Sequence, residues 1–372
     1  MKLSTLNNMK KLVYCIAALA LVACCKQQEQ PKGIADTLLL SDFRPVNVNN
    51  VPQTFVEKAK YPIIDMHSHD YVASAEEVDQ WVKNMDAVGV TETHIMHCSW
   101  IGRPFEEYVE LYSHHADRFR FWCSLDYTQL LQDGTPDQVI AYLEKCHALG
   151  AVGVGEMGDK GLGELYARPT EGKDLHINDP RLVPVLAKCA ELKMPISIHI
   201  AEPYWMYLPQ DATNDGLLNG AVWAVDTTVA GCLGYEGLMA SFENALKMNP
   251  KTIFIACHYL NMNQDLPRLG AMLDKYPNMY IDISARVAES AQTPRATREF
   301  LIKYQDRVLF GTDNGFDPSM YRNVFRVLET EDEHFYIHDF NYHWYLSGFY
   351  LPDTVLEKIY NKNAKRLLTE YK

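Results

Sequence analysis

The chain has 372 residues, of which 47% are hydrophobic and 22% charged, so it can bury a large core and is not a disordered chain. Its formal net charge is -13, from 35 Lys and Arg residues against 48 Asp and Glu residues. This balance leaves no general basic field for phosphates and argues against a nucleic-acid partner.

The N-terminus has the pattern of an export signal. Three lysines precede the apolar run Leu12–Ala23, which is too short to span a membrane comfortably. The run ends in Leu-Val-Ala before Cys24, which resembles the lipobox of bacterial lipoproteins. We therefore predict a signal peptide at residues 1–23 and lipidation of Cys24, so that the exported protein is held on a bacterial membrane by this lipid anchor alone. An uncleaved membrane anchor or ordinary secretion is the alternative.

Processing at this site would leave a tether and one folded domain. Cleavage would remove three lysines and no acidic residue, which lowers the formal net charge from -13 to -16. Residues 24–60 contain Gln, Asn and Pro with few periodic signals, which predicts a lipid-attached tether before a domain at residues 61–372. Six of the nine cysteines lie in that domain without a C-x-x-C pair, so their spacing does not decide whether disulfides form.

From residue 61 onward, short β-branched or aromatic runs alternate with amphipathic runs. Eight of the short runs predict strands: Ile63–His67, Thr93–Cys98, Phe119–Leu125, Ala151–Glu156, Ile196–Ile200, Ile253–His258, Met279–Ile283 and Val308–Thr312. Intervening runs predict helices, among them Ala75–Val88, Pro136–Leu149, Pro180–Leu192, Leu238–Met248, Leu266–Lys275 and Pro294–Tyr304. Eight such units predict an α/β fold of the (β/α)₈ TIM-barrel type. A doubly wound sheet is the alternative, but no G-x-G-x-x-G follows the first strand.

Two stretches exceed what a barrel needs. A long insertion, Ala201–Asn249, follows the fifth strand, and the aromatic and acidic stretch Phe316–Phe349 follows the eighth. A final helix, Asp353–Leu368, forms a C-terminal helical extension. The insertion lies on the face where barrel enzymes bind substrates, which predicts a lid or pocket wall. A small core of its own, or a subunit interface in a homo-oligomer, is an equally open interpretation.

Polar residues occupy the ends of several predicted strands. His67 and His69 close the first strand and lie on the same side, because side chains alternate across a strand. His199 ends the fifth strand, His258 the sixth and Asp313 the eighth. Barrel enzymes collect their catalytic groups at these ends, and imidazoles that converge with a carboxylate can bind a divalent cation. The sequence therefore predicts a metal site.

This pattern resembles the amidohydrolase superfamily and, within it, the amidohydrolase-related branch. The resemblance covers nearly all of Tyr61–Leu368, and the closing Tyr360–Leu368 is similar to the C-terminal helix of that branch. The resemblance implies four ligands or near-ligands: His67, His69, His199 and Asp313. It also implies that His258 is either a ligand of a second ion or an electrophilic partner of the substrate.

Glu156 lies at the end of the fourth strand, in the run Gly153-Val154-Gly155-Glu156-Met157-Gly158. This run is similar to the strand-four motif of TatD-type nucleases, in which a Glu bridges two metals. The resemblance implies that Glu156 contacts metal, and a carboxylate that binds substrate or orients a ligand beside a single ion is the alternative. Nuclease activity is not expected, because the chain is strongly acidic.

The predicted site can support hydrolysis. Zn²⁺, or alternatively Mn²⁺ or Fe²⁺, as one or two ions, would lower the pKa of a bound water towards ~7. Asp313 can accept the proton of that water and pass it to the leaving group, and His258 can polarise the substrate carbonyl. Arg286, just past the seventh strand, can bind a substrate carboxylate with both guanidinium arms, or form a surface ion pair instead.

We therefore predict a metal-dependent hydrolase that acts on an amide, ester or lactone bond of a small molecule. The alternative is non-oxidative decarboxylation of a small aromatic or unsaturated acid, because the branch that this sequence resembles contains such enzymes, which use one metal. A third hypothesis is a lipoprotein that binds metal or ligand without catalysis. The positions of Asp313 and His258 argue against it, because a storage site needs no open coordination position.

Overall fold

The computed structural model describes residues 33–97, 103–161, 164–167, 170–173, 175–340 and 342–370. The chain divides into two units, Met1–Phe43 and Arg44–Lys372. The described part of the first unit contains two 3₁₀ turns, Ile34–Asp36 and Leu40–Asp42. The predicted signal peptide and Cys24 lie outside the described residues. No helix among the described residues is long and apolar enough to cross a membrane.

Ten strands form one sheet in the second unit. They are β1 (Ile63–His69), β2 (Val90–Met96), β3 (Phe119–Cys123), β4 (Gly153–Asp159), β5 (Glu164–Ala167), β6 (Thr170–Lys173), β7 (Ile196–Ile200), β8 (Phe254–Ala256), β9 (Met279–Asp282) and β10 (Val308–Leu309). All except β5 and β6 pair in parallel, in the order β1-β2-β3-β4-β7-β8-β9-β10. Strands β5 and β6 form an antiparallel hairpin on the end of β4, which the sequence did not predict.

Backbone hydrogen bonds between the first and last strands close this sheet into a barrel. The N–H of Met66 donates to the carbonyl of Phe310 at 2.9 Å, and the N–H of Asp313 donates to the carbonyl of His67 at 2.9 Å. The predicted (β/α)₈ TIM barrel is therefore confirmed. Predicted strands one to four correspond to β1 to β4, and predicted strands five to eight correspond to β7 to β10.

Thirteen α-helices lie among the described residues. They are α1 (Ala75–Val88), α2 (Phe105–Leu111), α3 (Thr128–Asp133), α4 (Asp137–Ala148), α5 (Val183–Glu191), α6 (Leu217–Trp223), α7 (Gly234–Met248), α8 (Leu266–Lys275), α9 (Val287–Ser290), α10 (Pro294–Lys303), α11 (Pro318–Glu329), α12 (Asp353–Glu357) and α13 (Asn363–Glu370). A π-helical turn, Lys358–Lys362, joins α12 to α13. Further 3₁₀ turns are Ser113–His115, Pro180–Leu182, Tyr204–Tyr207, His258–Asn261, Asn263–Asp265 and His338–Phe340.

Helix α1 shows how local sequence sets these boundaries. Ser74 precedes it and accepts a hydrogen bond from the N–H of Glu77 at 3.4 Å, which caps the N-terminus. Gly89 ends it with a φ of 90°, a conformation that glycine adopts without a steric penalty. The buried side chains recur at helical spacing and face the barrel: Val78, Trp81, Val82, Met85 and Val88. The predicted and observed bounds of this helix agree.

A small apolar cluster packs separately from the main core and fills the barrel. Its members come from six strands and from the C-terminal helix: Ile64, Met66, Met96, Trp122, Ile255, Tyr280, Leu309, Ala364 and Leu367. Trp122 is fully buried, and it fits because Gly153 on the neighbouring strand has no side chain. A Cβ at residue 153 would lie 2.4 Å from Cε3 of Trp122. The interior is therefore closed below the polar strand ends.

The two additions are shorter than predicted. Residues 234–248 of the predicted insertion form α7, which covers the fifth barrel strand, so the insertion itself is residues 201–233. In the same way, α11 occupies the first part of Phe316–Phe349 because Asp317 caps a strongly amphipathic segment there. The C-terminal addition is therefore residues 330–350. Residues 54–60, which we predict as the end of the tether, contact the C-terminal addition through Thr54 N–H to Asp332 at 2.6 Å and the barrel through Ala59 N–H to the Val88 carbonyl at 3.0 Å.

The closing segment yields a prediction about stability. Asn363 is buried, and its side-chain amide donates to the carbonyls of Gln305 and Val308, both at 2.7 Å. We expect Asn363→Ala to lower the free energy of unfolding by about 2 kcal/mol, because it leaves one buried and one partly buried carbonyl without their donor. Urea unfolding would measure the change. Lys365→Ala, on the exposed side of the same helix, is the control and should have little effect.

Candidate metal centre

Six polar side chains from five barrel strands meet at the carboxyl ends of those strands, which we call the mouth. They form what we call the strand-end cluster: His67, His69, Glu156, His199, His258 and Asp313. The four histidines are buried, whereas 23% of the Asp313 side chain is exposed. The structure thus brings together every residue that the sequence predicted as a ligand.

One half of the cluster joins the first and last strands. His69 Nε2 lies 3.0 Å from Asp313 Oδ1, and His67 Nε2 lies 3.9 Å from the same oxygen. Ligand atoms of these three residues all lie within 4.8 Å of one another. The hydrogen bond from Asp313 N–H to the His67 carbonyl, which closes the barrel, also sets this geometry.

The other half of the cluster surrounds Glu156. Its Oε1 lies 3.2 Å from His199 Nδ1 and 3.2 Å from His258 Nε2, and these two nitrogens are 3.1 Å apart. Its Oε2 lies 3.5 Å from His69 Nε2. The nearest imidazoles of Oε1 and of Oε2 therefore belong to different halves, and Oε1 also lies 3.8 Å from His67 Nε2. The strand that carries Glu156 can lie this close to the strand of His199 because Gly155 has no side chain. A Cβ at residue 155 would lie 2.8 Å from the Cβ of Ser197.

The backbone leaves the strands in a strained conformation at this mouth. Ala201, His258, Ala285 and Asp313 follow four of the strands with φ values of 61°, 61°, 52° and 52°. All four residues of the turn that begins at His258 are left-handed, a conformation that costs about 1 kcal/mol or more per residue. This turn ends β8 at Ala256, whereas the sequence predicted a strand through His258. It redirects the histidine side chain into the cluster.

Three imidazoles of the cluster are held at Nδ1 by groups outside it. His69 Nδ1 lies 3.2 Å from the Met96 carbonyl, and His258 Nδ1 lies 3.0 Å from the Ser284 carbonyl. His67 Nδ1 lies 2.9 Å from Asp282 Oδ2. Because a carbonyl oxygen only accepts hydrogen bonds, His69 and His258 donate from Nδ1, and the Nε2 atom of each ring is directed at the cluster.

Sequence reasoning missed Asp282 and Ser284. Both are buried at the end of β9, the one barrel strand between those that supply His258 and Asp313. The signal that could have found them is their position, since a polar Asp-x-Ser pair ends an otherwise apolar strand.

The charges of the cluster are mutually dependent. Burial raises the pKa of Glu156, but the imidazoles of His199 and His258 outweigh it and hold the pKa well below its ordinary value. Asp313 shows the same balance, since burial is outweighed by His67 and His69 and its pKa is lowered. Burial lowers the pKa of His67, yet Asp282 and Asp313 raise it to about 9. Two carboxylates thus share this buried volume with a positive charge.

The donor set fits a divalent cation. His67 Nε2 is buried and has no hydrogen-bond partner among the described residues, although it points at two carboxylates. Imidazole nitrogens and carboxylate oxygens are ligands that suit Zn²⁺, Mn²⁺ and Fe²⁺ alike.

Cys257 also lies within ligand reach of His67, Glu156 and His258. Burial raises the pKa of its thiol well above the ordinary value, and Ser197 Oγ lies 3.0 Å from the sulfur.

Arg286 lies beside the cluster and is largely buried, not part of a surface ion pair. Its Nε donates to Asn261 Oδ1 at 2.8 Å, and its Nη1 donates to the Ala285 carbonyl at 3.0 Å. Its carboxylate neighbour Glu289 is 3.7 Å away and accepts a hydrogen bond from the hydroxyl of Tyr342 at 2.6 Å. Two neutral acceptors therefore hold the guanidinium.

Aromatic residues of the two additions meet above Arg286. Trp205 in the insertion lies 6.1 Å, centroid to centroid, from Trp344 in the C-terminal addition. Trp344 stacks on Tyr342 at 4.3 Å and donates from Nε1 to the carbonyl of Ala288. These contacts join the insertion to the C-terminal addition. Trp223, by contrast, is exposed.

Sequence comparison places the barrel in a known family. A profile of the amidohydrolase family, Amidohydro_2, matches residues 49–369. The chain belongs to the amidohydrolase family. It is therefore an enzyme of the amidohydrolase superfamily, whose members act on small molecules and generally use a divalent metal. No curated protein is significantly similar to the chain in sequence.

Solved structures share the fold at low sequence identity. A candidate amidohydrolase from Staphylococcus aureus has a TM-score of 0.53 and 16% identity over 83% of this chain and 99% of its own. An uncharacterised TIM-barrel protein from Bordetella bronchiseptica has a TM-score of 0.52 and 15% identity over the same shares. 4-Oxalomesaconate hydratase from Rhodopseudomonas palustris has a TM-score of 0.50 and 16% identity over 82% and 95%. At such identities the similarity shows the fold alone.

The geometry predicts which histidines retain metal. We expect the double variant His67→Ala/His69→Ala to lose most of its metal, because it removes two imidazoles that face Asp313 and Glu156. Elemental analysis of natively purified protein would measure the content. The control is His147→Ala/His338→Ala, which removes two exposed histidines outside the cluster and should leave the content unchanged. Normal metal content in the first variant would refute the site.

Proposed function

We propose that this protein is a metal-dependent hydrolase that cleaves an amide, ester or lactone bond of a small molecule. The observation that carries the proposal is the position of Glu156 between the two halves of the cluster. One of its oxygens faces His199 and His258, and the other faces His69. A carboxylate shared in this way suits two cations, an arrangement used for hydrolysis in several enzyme classes.

The bound cations would be held by two sets of residues with Glu156 in common. His67, His69 and Asp313 would hold one, and His199 and His258 the other. When bound, a divalent cation supplies Lewis acidity and lowers the pKa of a coordinated water. The tautomer of His258 favours a ligand role over the electrophilic one, because its neutral ring has no proton at Nε2.

Asp313 is suited to moving the proton. It is the most exposed member of the strand-end cluster, so both water and substrate can reach it. The nearby imidazoles of His67 and His69 keep its pKa low against the effect of burial, so it is a carboxylate at neutral pH. We assign it the role of general base that accepts the proton of the attacking water and delivers it to the leaving group.

The position of Arg286 indicates the chemical class of the substrate. Asn261 and Ala285 bind Nε and Nη1 of its guanidinium with neutral oxygens, and Glu289 lies 3.7 Å from Nε, so the Nη side remains for an anion at the mouth. A carboxylate that binds both arms of a guanidinium gains charge-assisted hydrogen bonds. We therefore propose a substrate that carries a carboxylate near the bond to be cleaved.

Arg286 is also compatible with the alternative reaction, decarboxylation. A carboxylate directed at the cluster by this residue could itself be the leaving group, which gives non-oxidative decarboxylation of a small aromatic or unsaturated acid. Metal stoichiometry and product analysis separate the two reactions. Two ions per chain with hydrolysis of an ester, lactone or amide panel support the hydrolase. One ion per chain with release of carbon dioxide and no hydrolysis supports the decarboxylase.

The role of Asp313 has a direct test. We expect Asp313→Asn to lower kcat on the best panel substrate by about 10²- to 10⁴-fold, because an amide cannot accept the proton. Folding and most of the metal should remain, since the imidazole ligands are unchanged. Asp317→Asn is the matched control, because Asp317 caps α11 outside the cluster and Asn caps equally well. Unchanged turnover of Asp313→Asn would contradict the assignment.

The role of Arg286 predicts a different kinetic change. We expect Arg286→Met to raise KM for carboxylated substrates by about 10- to 100-fold while kcat changes less, because the lost interaction is a charge-assisted hydrogen bond to a group that does not react. Steady-state kinetics on paired substrates, one with the carboxylate and one with its methyl ester, would measure the difference. Arg268→Met, which removes an exposed partner of Glu236, is the control. Equal losses on both substrates would argue against an anion-binding role.

We also propose that the protein is exported and attached to a bacterial membrane through lipid on Cys24. The support is the sequence pattern of lysines, a short apolar run and the lipobox-like Leu-Val-Ala-Cys. Residues 24–60 would then tether the barrel domain at residues 61–372 to the membrane surface.

A further inference from the structure

A buried pair of residues contacts both halves of the strand-end cluster from outside it. Asp282 and Ser284 have no exposed surface and lie at the end of β9. The Asp282 Oδ2 atom lies 2.9 Å from His67 Nδ1. Its Oδ1 atom accepts hydrogen bonds from the backbone N–H groups of His258 at 2.8 Å and Ser284 at 3.0 Å. One carboxylate thus holds one histidine by its ring and another by its backbone.

The Ser284 hydroxyl completes this arrangement. Its Oγ lies 2.5 Å from Asp282 Oδ1, 3.0 Å from His67 Nδ1 and 2.9 Å from His258 Nδ1. A hydroxyl has a single hydrogen, and the carboxylate oxygen is its shortest contact and can only accept. The hydroxyl therefore donates to Asp282, and its lone pairs face the two imidazoles.

These contacts define which ring nitrogens carry hydrogen. His67 Nδ1 faces the Asp282 carboxylate and the Ser284 oxygen, so it donates. His258 Nδ1 faces the Ser284 oxygen and the Ser284 carbonyl, so it donates as well. In the neutral form that binds a metal, each ring then has its lone pair at Nε2, which points to Glu156 at 3.8 Å for His67 and 3.2 Å for His258. Both lone pairs are directed into the cluster.

We propose that Asp282 and Ser284 are positioning residues that fix the tautomer and orientation of His67 and His258 together, and so make the two halves of the metal centre one unit. This inference rests on the proposed metal-dependent function. Neither residue touches the cation or the substrate in this proposal. Each acts through a ligand, as groups that bind metal-ligating histidines at the second nitrogen do.

Replacement of Asp282 by Asn has a defined consequence. The amide oxygen would stay on the two backbone N–H groups, so the NH₂ group would face His67 Nδ1. That nitrogen would have to accept, and the hydrogen of the neutral ring would move to Nε2, where it faces the cation. Replacement of Ser284 by Ala leaves an acceptor at each Nδ1, the Asp282 carboxylate for His67 and the Ser284 carbonyl for His258. Its effect should be smaller.

The test measures cobalt binding, because Co²⁺ reports on both affinity and ligand geometry. Wild type, Asp282→Asn and Ser284→Ala would be freed of metal with a chelator and titrated with Co²⁺ while the visible absorption bands are recorded. We expect the Kd of Asp282→Asn to rise by about 10- to 100-fold with altered bands, and that of Ser284→Ala to rise by a few fold. The control is Asp332→Asn, which changes a buried carboxylate that binds Thr54 and Arg326 and should match wild type.

The outcomes separate the inference from the function on which it rests. If wild type binds Co²⁺ and both Asp282→Asn and Ser284→Ala match it in Kd and spectrum, the positioning role is overturned while the proposed function stands. If wild type binds no Co²⁺, the proposed function fails and the inference fails with it. Thermal unfolding of the metal-free proteins shows whether each variant folds. Should Asp282→Asn not fold, an unchanged spectrum of Ser284→Ala overturns the inference.

Discussion

The constraint on which this protein depends is the burial of charge at the mouth of a parallel barrel. Taking a carboxylate out of water costs several kcal/mol unless it is paired, and Glu156, Asp282 and Asp313 are all drawn into one small volume. Pairing requires imidazoles from distant parts of the chain to arrive at the same place. The closed barrel provides this, because the hydrogen bond from Asp313 N–H to the His67 carbonyl is both a seam of the sheet and a part of the site. The site therefore forms only when the barrel closes.

Backbone strain is concentrated at the same mouth. One side chain that offsets this strain also contacts Arg286. Asn261 closes the left-handed turn that follows β8, and its amide donates to the carbonyls of Ile200 and Ala201. Its Oδ1 accepts from Arg286. One side chain thus stabilises the turn that aims His258 at the cluster and holds the guanidinium that we propose binds substrate. Strain at a functional site persists only where the surroundings hold it in this way.

The sequence predicts much of this molecule, for reasons that are visible in particular elements. Parallel strands are continuous apolar runs, so all eight could be found, and helix α1 carries its cap and its stop in its own residues. Other features depend on contacts distant in sequence. The left-handed turn that shortens β8 has no glycine, and Asp282 meets His67 across 215 positions. No local pattern encodes such contacts, so the cluster could be predicted but not the groups that hold it.

The recognition of substrate depends on parts of the chain that lie outside the barrel pattern. Tyr342, in the C-terminal addition, donates its hydroxyl to Glu289 and occupies the oxygen that lies nearest to Arg286. Burial raises the pKa of Glu289, whereas the charge of Arg286 and the hydrogen bond from Tyr342 act against that rise. Tyr342 thus competes with Arg286 for Glu289, which favours the anion-binding role that we propose for the guanidinium. We therefore propose that the strand-end cluster carries the reaction, whereas Tyr342 in the C-terminal addition influences how Arg286 selects a substrate.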